Sequence, residues 1–313
     1  MTETHETAAF DPSQTVHAAD RLHEAVSRCG VPACIGLDPV LERLPKSIRA
    51  RDTGAAEKIE EFCRAVIDAA AGIVPVIKPQ SACFERFGQA GLGVLRRVIQ
   101  AARSRGFVVI LDAKRGDIGT TAEHYAAAAF GGRNSHQASA ADWLTINGYL
   151  GPETAEPYLD HAGRGVFVLV RTSNPGSDSV QAQRLADGRT VAELLADQTA
   201  TLGRGEGRIG ACGLSCVGAV VGATKSSEAE ALRARMPETI FLVPGYGTQG
   251  GTLDDLRPML RTVASAADSG IIVNASRSVL YPTNPTNPEG SNYQSAIREA
   301  AQRFAGELAS LFA

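Results

Sequence analysis

The residues of this chain best placed to do chemistry are three charges crowded at the end of an apolar run. Val108-Val109-Ile110-Leu111 reads as a strand buried on both faces, and it stops at Asp112-Ala-Lys114-Arg-Gly-Asp117. Taking an ion out of water is costly unless it is paired. Here two carboxylates bracket one ammonium within six residues, so pairing is available on the spot. A strand that ends this way opens into a polar cavity. An ammonium fixed beside carboxylates can stabilise a developing anion and then hand over a proton.

Something must hold those charges in place. Eight short apolar runs recur along the chain, at residues 33–37, 73–77, 107–111, 141–146, 166–170, 217–221, 239–243 and 270–273. Between them lie segments of helical period. Ile59, Phe62, Cys63, Val66, Ile67 and Ala70 share one face, as do Leu92, Leu95, Ile99 and Ala102. Val191, Leu194, Leu195 and Leu202 indicate another helix, and Ile297, Ala301, Phe304, Leu308 and Leu311 a last one. Thr120 and Glu123 have capping-box spacing, which predicts a helix start just after the charged stretch.

Strands alternating with helices imply a parallel sheet. Eight repeats over roughly 250 residues match an α/β fold of the (β/α)8 TIM barrel type. A doubly wound open sheet is the competitor, but the first strand is followed by Asp38-Pro39 and not by Gly-x-Gly-x-x-Gly. The expectation is one barrel domain over residues 20–313, preceded by a flexible extension at 1–19.

In such a barrel the C-terminal strand ends meet at one mouth. They deliver Asp38, then Lys78, then Asp112, Lys114 and Asp117, then Asn147, then Arg171 and Ser173. The seventh loop, Pro244-Gly-Tyr-Gly-Thr-Gln249-Gly-Gly251, has four glycines in eight residues, and glycine lets backbone N–H groups approach an anion. The eighth strand ends in Asn274-Ala-Ser-Arg277. Loops seven and eight are the usual phosphate site of barrel enzymes, which points to a phosphorylated substrate. Blander readings stand beside these: Asp38 as a helix-entry cap, Lys78 and Asp112 as a structural ion pair, Thr120 and Thr121 as caps only.

Composition excludes several classes. With 313 residues and a net charge of −3, nothing attracts nucleic acid or an anionic membrane. No apolar run reaches the roughly 20 residues that span a bilayer, and the first fifteen residues lack a secretion signal. The six cysteines show no zinc spacing beyond the isolated Cys212-Gly-Leu-Ser-Cys216, and the six histidines show no metal spacing. A reduced, cytoplasmic protein without a metal site is expected. Residues 172–188 and 203–213 read as surface loops with no assigned role.

Asp112-Ala-Lys114-Arg-Gly-Asp117-Ile-Gly-Thr-Thr121 resembles the Asp-x-Lys-x-x-Asp motif of the orotidine 5′-phosphate decarboxylases. Cys34-Ile-Gly-Leu-Asp38-Pro, Val76-Ile-Lys78-Pro-Gln, the glycine loop with Gln249, and Ile272-Val-Asn-Ala-Ser-Arg277 resemble the longer, type 2 bacterial branch of that family. The resemblance implies decarboxylation of orotidine 5′-monophosphate to UMP in a cytoplasmic homodimer, with a nucleotide as the only small-molecule partner and no cofactor. It implies Lys114 as proton donor, Asp112 facing the departing carboxylate, and Lys78 holding the network. Asp38 would accept ribose hydroxyls, Ser173 would bond the pyrimidine edge, and Gln249 and Arg277 would bind phosphate. Asp117 and Thr121 would reach into the neighbouring subunit's site. Related Mg-dependent sugar-phosphate decarboxylases or aldolase-type lyases, and a non-catalytic nucleotide-binding protein, are the alternatives.

Overall fold

The computed structural model describes residues 15–131, 139–247, 250–261, 265–282 and 292–313. Eight parallel strands close into a barrel in sequence order. They are β1 (Ala33–Leu37), β2 (Val76–Pro79), β3 (Val108–Arg115), β4 (Trp143–Asn147), β5 (Gly165–Arg171), β6 (Val217–Val221), β7 (Phe241–Val243) and β8 (Ile271–Ala275). Each apolar run yields its strand, because β-branched and aliphatic side chains buried on both faces have no solvated alternative. Several strands start later than the apolar run, since residues such as Ile73 and Thr239 form the turn that enters the strand. The sheet closes where β1 meets β8, and there the Ser276 and Asn274 side chains crowd Gly36. A Cβ on Gly36 would sit 2.1 Å from Ser276 Oγ, so any larger residue would have to displace the Ser276 side chain.

The outer layer carries the expected amphipathic faces. Helix α1 is Ala18–Cys29, α2 is Ala55–Ala70, α3 is Gly88–Ser104, α4 is Gly119–Phe130, α5 is Val191–Gly203, α6 is Ser226–Arg235 and α7 is Tyr293–Ala309. In α2 the six residues of the predicted face are all buried. In α3, Leu92 falls outside the buried face and is largely exposed. In α5 the buried stripe is Ala192, Ala196, Thr199, Ala200, Leu202 and Gly203, so Leu202 is buried as expected while Val191, Leu194 and Leu195 lie only at its edges. Among the described residues no helix is long and apolar enough to cross a membrane.

Two expectations need correction. The capping box predicted at Thr120 and Glu123 does not form: α4 begins at Gly119 behind Ile118 with no side-chain cap. Capping boxes form instead at Thr190 with Glu193, opening α5, and at Thr252 with Asp255. The barrel also begins earlier than residue 20, since Ala18 and Ala19 are fully buried in α1.

Helix α1 lies across the N-terminal end of the barrel. Asp20 accepts the backbone N–H groups of Ala211 and Cys212, which docks part of the 203–213 segment there. Beside it, buried Asp142 accepts the Val109 N–H at 2.9 Å. The same carboxylate faces Arg164 at 3.2 Å, Arg21 at 3.5 Å and Arg103 at 3.7 Å. These guanidiniums also donate to the carbonyls of Ala141, Gly163 and Ala140. At this end of the barrel the buried carboxylate is held by three guanidiniums.

Candidate active site

At the opposite end β3 continues past the apolar run. Its pairing with β4 runs Leu111↔Leu144 and then Arg115↔Ile146, so β3 carries two extra residues in a bulge. Within it Lys114 has φ +47°, the only positive φ at a non-glycine residue among the described residues. An L residue in that region is strained, and such strain clusters at functional sites.

Thr145 on β4 makes the bulge tolerable. Its Oγ1 accepts both the Ala113 and the Lys114 backbone N–H at 3.0 Å, and its hydroxyl donates to Asp112 Oδ1 at 2.9 Å. Without it two half-buried donors would lack partners, at about 1–3 kcal/mol each. Alternation then sorts the side chains. Asp112 and Lys114 line a cavity of about 390 Å³ inside the mouth. Leu111, Ala113 and Arg115 face a different cavity outside, among the helices.

The Asp112 carboxylate collects four donors. Lys78 Nζ lies 2.7 Å and Gln80 Nε2 3.2 Å from Oδ2, while Lys114 Nζ lies 2.6 Å from Oδ1 beside Thr145. Burial alone would push this carboxyl up, but the Lys78 and Lys114 ammoniums outweigh it and hold it well below the usual carboxylate range. Burial alone would likewise lower Lys78, but the Asp112 and Asp38 carboxylates hold its ammonium above its ordinary value. The two lysines differ in access. The Lys78 side chain is 6% exposed and that of Lys114 is 49% exposed, so Lys114 is the one open to a ligand. Neighbouring Cys34 donates to Asn274 Oδ1, and burial pushes its thiol up to about 12.

The other expected residues divide. Ser173 lines the cavity with Thr172, Asn174 and Gln181. Asp38 follows β1 and carries a buried carboxyl oxygen with no partner, an acceptor awaiting a donor. Arg277 opens the short helix Arg277–Leu280 after β8 and is exposed. Asp117 and Thr121 lie at the rim around the start of α4 and do not line the cavity. Gln249 lies outside the described residues.

Arg171 does not face the cavity. Its guanidinium is forked on Glu228 at 2.8 and 2.9 Å and also donates to Ser177 and Asp178, anchoring the loop after β5 from beneath. Gln181 closes the same loop, accepting the Thr172 N–H at 2.8 Å and donating to Thr172 Oγ1 at 2.9 Å. Ser173 packs on Gly222, where a Cβ would come within 2.9 Å of the Ser173 backbone. The first part of the 172–188 segment is therefore a wall of the site. Sequence reasoning missed Thr145, Gln80 and Gln181. Thr145 left one signal, as the polar residue inside the apolar stretch Trp143–Ile146.

Known proteins match the chain over this whole architecture. The family described as orotidine 5′-phosphate decarboxylase / HUMPS matches residues 32–287. An orotidine 5′-phosphate decarboxylase of Rhodopirellula baltica is 40% identical over 303 residues, 93% of this chain and 98% of that protein. One from a Roseiflexus species is 41% identical over 87% of this chain and 89% of its own. The solved structure of Leishmania donovani OMP decarboxylase superposes with a TM-score of 0.74 at 31% identity, covering 95% of this chain and 99% of that one. With its eight-stranded barrel and its paired lysines on Asp112, the chain belongs to the orotidine 5′-phosphate decarboxylase / HUMPS family.

Proposed function

We propose that this chain decarboxylates orotidine 5′-monophosphate to UMP and CO2, with Lys114 as the proton donor. The observation that carries the residue assignment is the Asp112 carboxylate held between Lys78 and Lys114 at the wall of the cavity. Breaking the C6–carboxylate bond leaves the electron pair on C6 of the pyrimidine. An ammonium already fixed beside that carbon stabilises the charge as it grows, then gives C6 its proton and regains one from water. Lys78 and Thr145 fix Asp112, and Asp112 fixes Lys114, so little reorganisation accompanies the reaction.

Asp38 with its unpartnered oxygen suits ribose hydroxyls, and Ser173 suits the pyrimidine edge. Arg277 and the glycine-rich loop bearing Gln249 suit the phosphate. The exposed apolar side chains Ile118, Tyr125, Tyr149 and Leu150 lie near Asp117 and Thr121 in sequence or across the β3–β4 pairing. They support a homodimer in which those two residues complete the partner's site.

The test is the loss of orotidine monophosphate absorbance with purified protein in EDTA. Turnover in EDTA is expected. Folded protein that is inactive there but active with Mg²⁺ on a sugar phosphate, or trapped on substrate by borohydride through Lys114, would replace this reading with that of a related lyase.

A further inference from the structure

Thr145 secures only one side of the peptide bond that enters Lys114. That peptide bond is planar, so fixing its N–H and its C=O together fixes the plane, and with the flanking Cα atoms held along β3 this sets the ψ of Ala113 and the φ of Lys114 together. Thr145 holds the N–H from inside the barrel. The C=O of the same peptide, on Ala113, is held from outside by Arg115 Nη1 at 3.0 Å. Arg115 is in turn ion-paired with Glu85. Glu85 Oε1 accepts the Ser81 hydroxyl at 2.5 Å, and the Ser81 backbone N–H donates to the Asp112 carbonyl at 3.0 Å. The contacts close into a ring that begins and ends on the bulge.

Glu85 stands in the short helix Ala82–Glu85, just after the strand that carries Lys78. Arg115 is the residue at which β3 rejoins its ladder opposite Ile146, and its guanidinium lies 5.5 Å from the Tyr125 ring centroid. The ring thus ties the Lys78 segment to the Lys114 segment on the face turned away from the cavity that Asp112 and Lys114 line.

We propose that Arg115 and Glu85 are positioning residues that hold the Ala113–Lys114 peptide plane and so aim the Lys114 ammonium; for its catalytic consequence this rests on the decarboxylase reading. Displacing a reacting group by about 1 Å can cost on the order of a hundredfold in rate, and the ring acts on geometry alone. Its loss therefore lowers kcat while leaving the phosphate and ribose contacts, and with them KM, nearly untouched.

The experiment uses full-length Arg115→Ala, Glu85→Ala and Arg115→Lys. Hydrogen exchange of the Ala113 and Lys114 amides, read by NMR, should accelerate about tenfold or more in the two alanine variants, with the amides of β1 and β5 unchanged. In the absorbance assay kcat should fall about 10- to 100-fold, KM should move less than about threefold, and Arg115→Lys should recover part of the loss. Unchanged exchange at both amides, or full kcat in Arg115→Ala beside an active wild type, overturns the proposal. An inactive wild type would instead refute the decarboxylase reading, while the exchange rates still decide whether the ring holds the peptide.

Discussion

The two ends of the barrel each bury an aspartate among cations, and they differ in which cations they choose. Asp142, at the end covered by α1, is met by Arg21, Arg103 and Arg164. Asp112, at the mouth, is met by Lys78 and Lys114. A guanidinium offers several fixed donors and keeps its proton, so the three arginines can bond the carboxylate and the surrounding carbonyls together. An ammonium is a compact charge on a flexible stem, able to give a proton away. The arginine end ties strand starts to α1. The lysine end leaves one cation open to a ligand and holds it with strained backbone. On the proposed reading, stability and chemistry are thus assigned to opposite ends of the same strands, as the barrel architecture allows.

That division can be broken deliberately. Lys114→Ala should have the largest effect on activity, lowering kcat about 10⁴-fold in the absorbance assay while the thermal midpoint barely moves. Retention of activity within tenfold would remove Lys114 from the reaction. Asp142→Ala should do the reverse. It strands buried Arg164 and should cost about 3–5 kcal/mol in denaturant titrations, yet leave kcat unchanged in the folded fraction. A large kcat defect there would join the two ends functionally and undo the comparison.

Thr145→Val should fall between these extremes. It removes the acceptor for two backbone N–H groups and should cost about 2 kcal/mol of stability with a 10- to 100-fold loss in kcat. Thr145→Ser, which keeps the oxygen, should restore most of both.

The smallest effect concerns pH. The Asp112 carboxyl is lowered on folding from its ordinary 3.8, so its contribution is complete above that value and fades as acid approaches its native one. The Lys78 ammonium is raised above 10.5, so its contribution is complete below that pH and fades only in stronger alkali. Denaturant midpoints should therefore fall below about pH 4, and less steeply in Asp112→Asn. An identical acid limb in both proteins would mean that Asp112 is not held as its neighbours imply.

Much of this was legible in the sequence because burial and charge pull in opposite directions. The eight apolar runs had to be strands, and Lys78, Asp112 and Lys114 stood out as ions no core would accept unpaired. What escaped was geometry without a compositional mark. The two-residue bulge in β3 hides among charges that look like the end of a strand, although β3 continues through them to Arg115. Thr145 reads as a β-branched strand former, and only its place opposite the bulge makes its hydroxyl indispensable. Arg171 misled in the other direction: a cation at a strand end suggests ligand binding, yet its fork on Glu228 makes it a foundation for the loop above.

The length of the bulge carries one more consequence. Strand side chains alternate with a period of two, so an insertion of two residues preserves which face each later residue meets. Deleting a single residue from residues 112–114 would exchange the faces of the residues that follow. Arg115 would then be presented to the cavity, and a guanidinium would occupy the place of Lys114, the proposed proton donor. A one-residue deletion should therefore give a barrel that still carries charge at its mouth but has lost its acid, a variant in which affinity for an anionic ligand and turnover come apart.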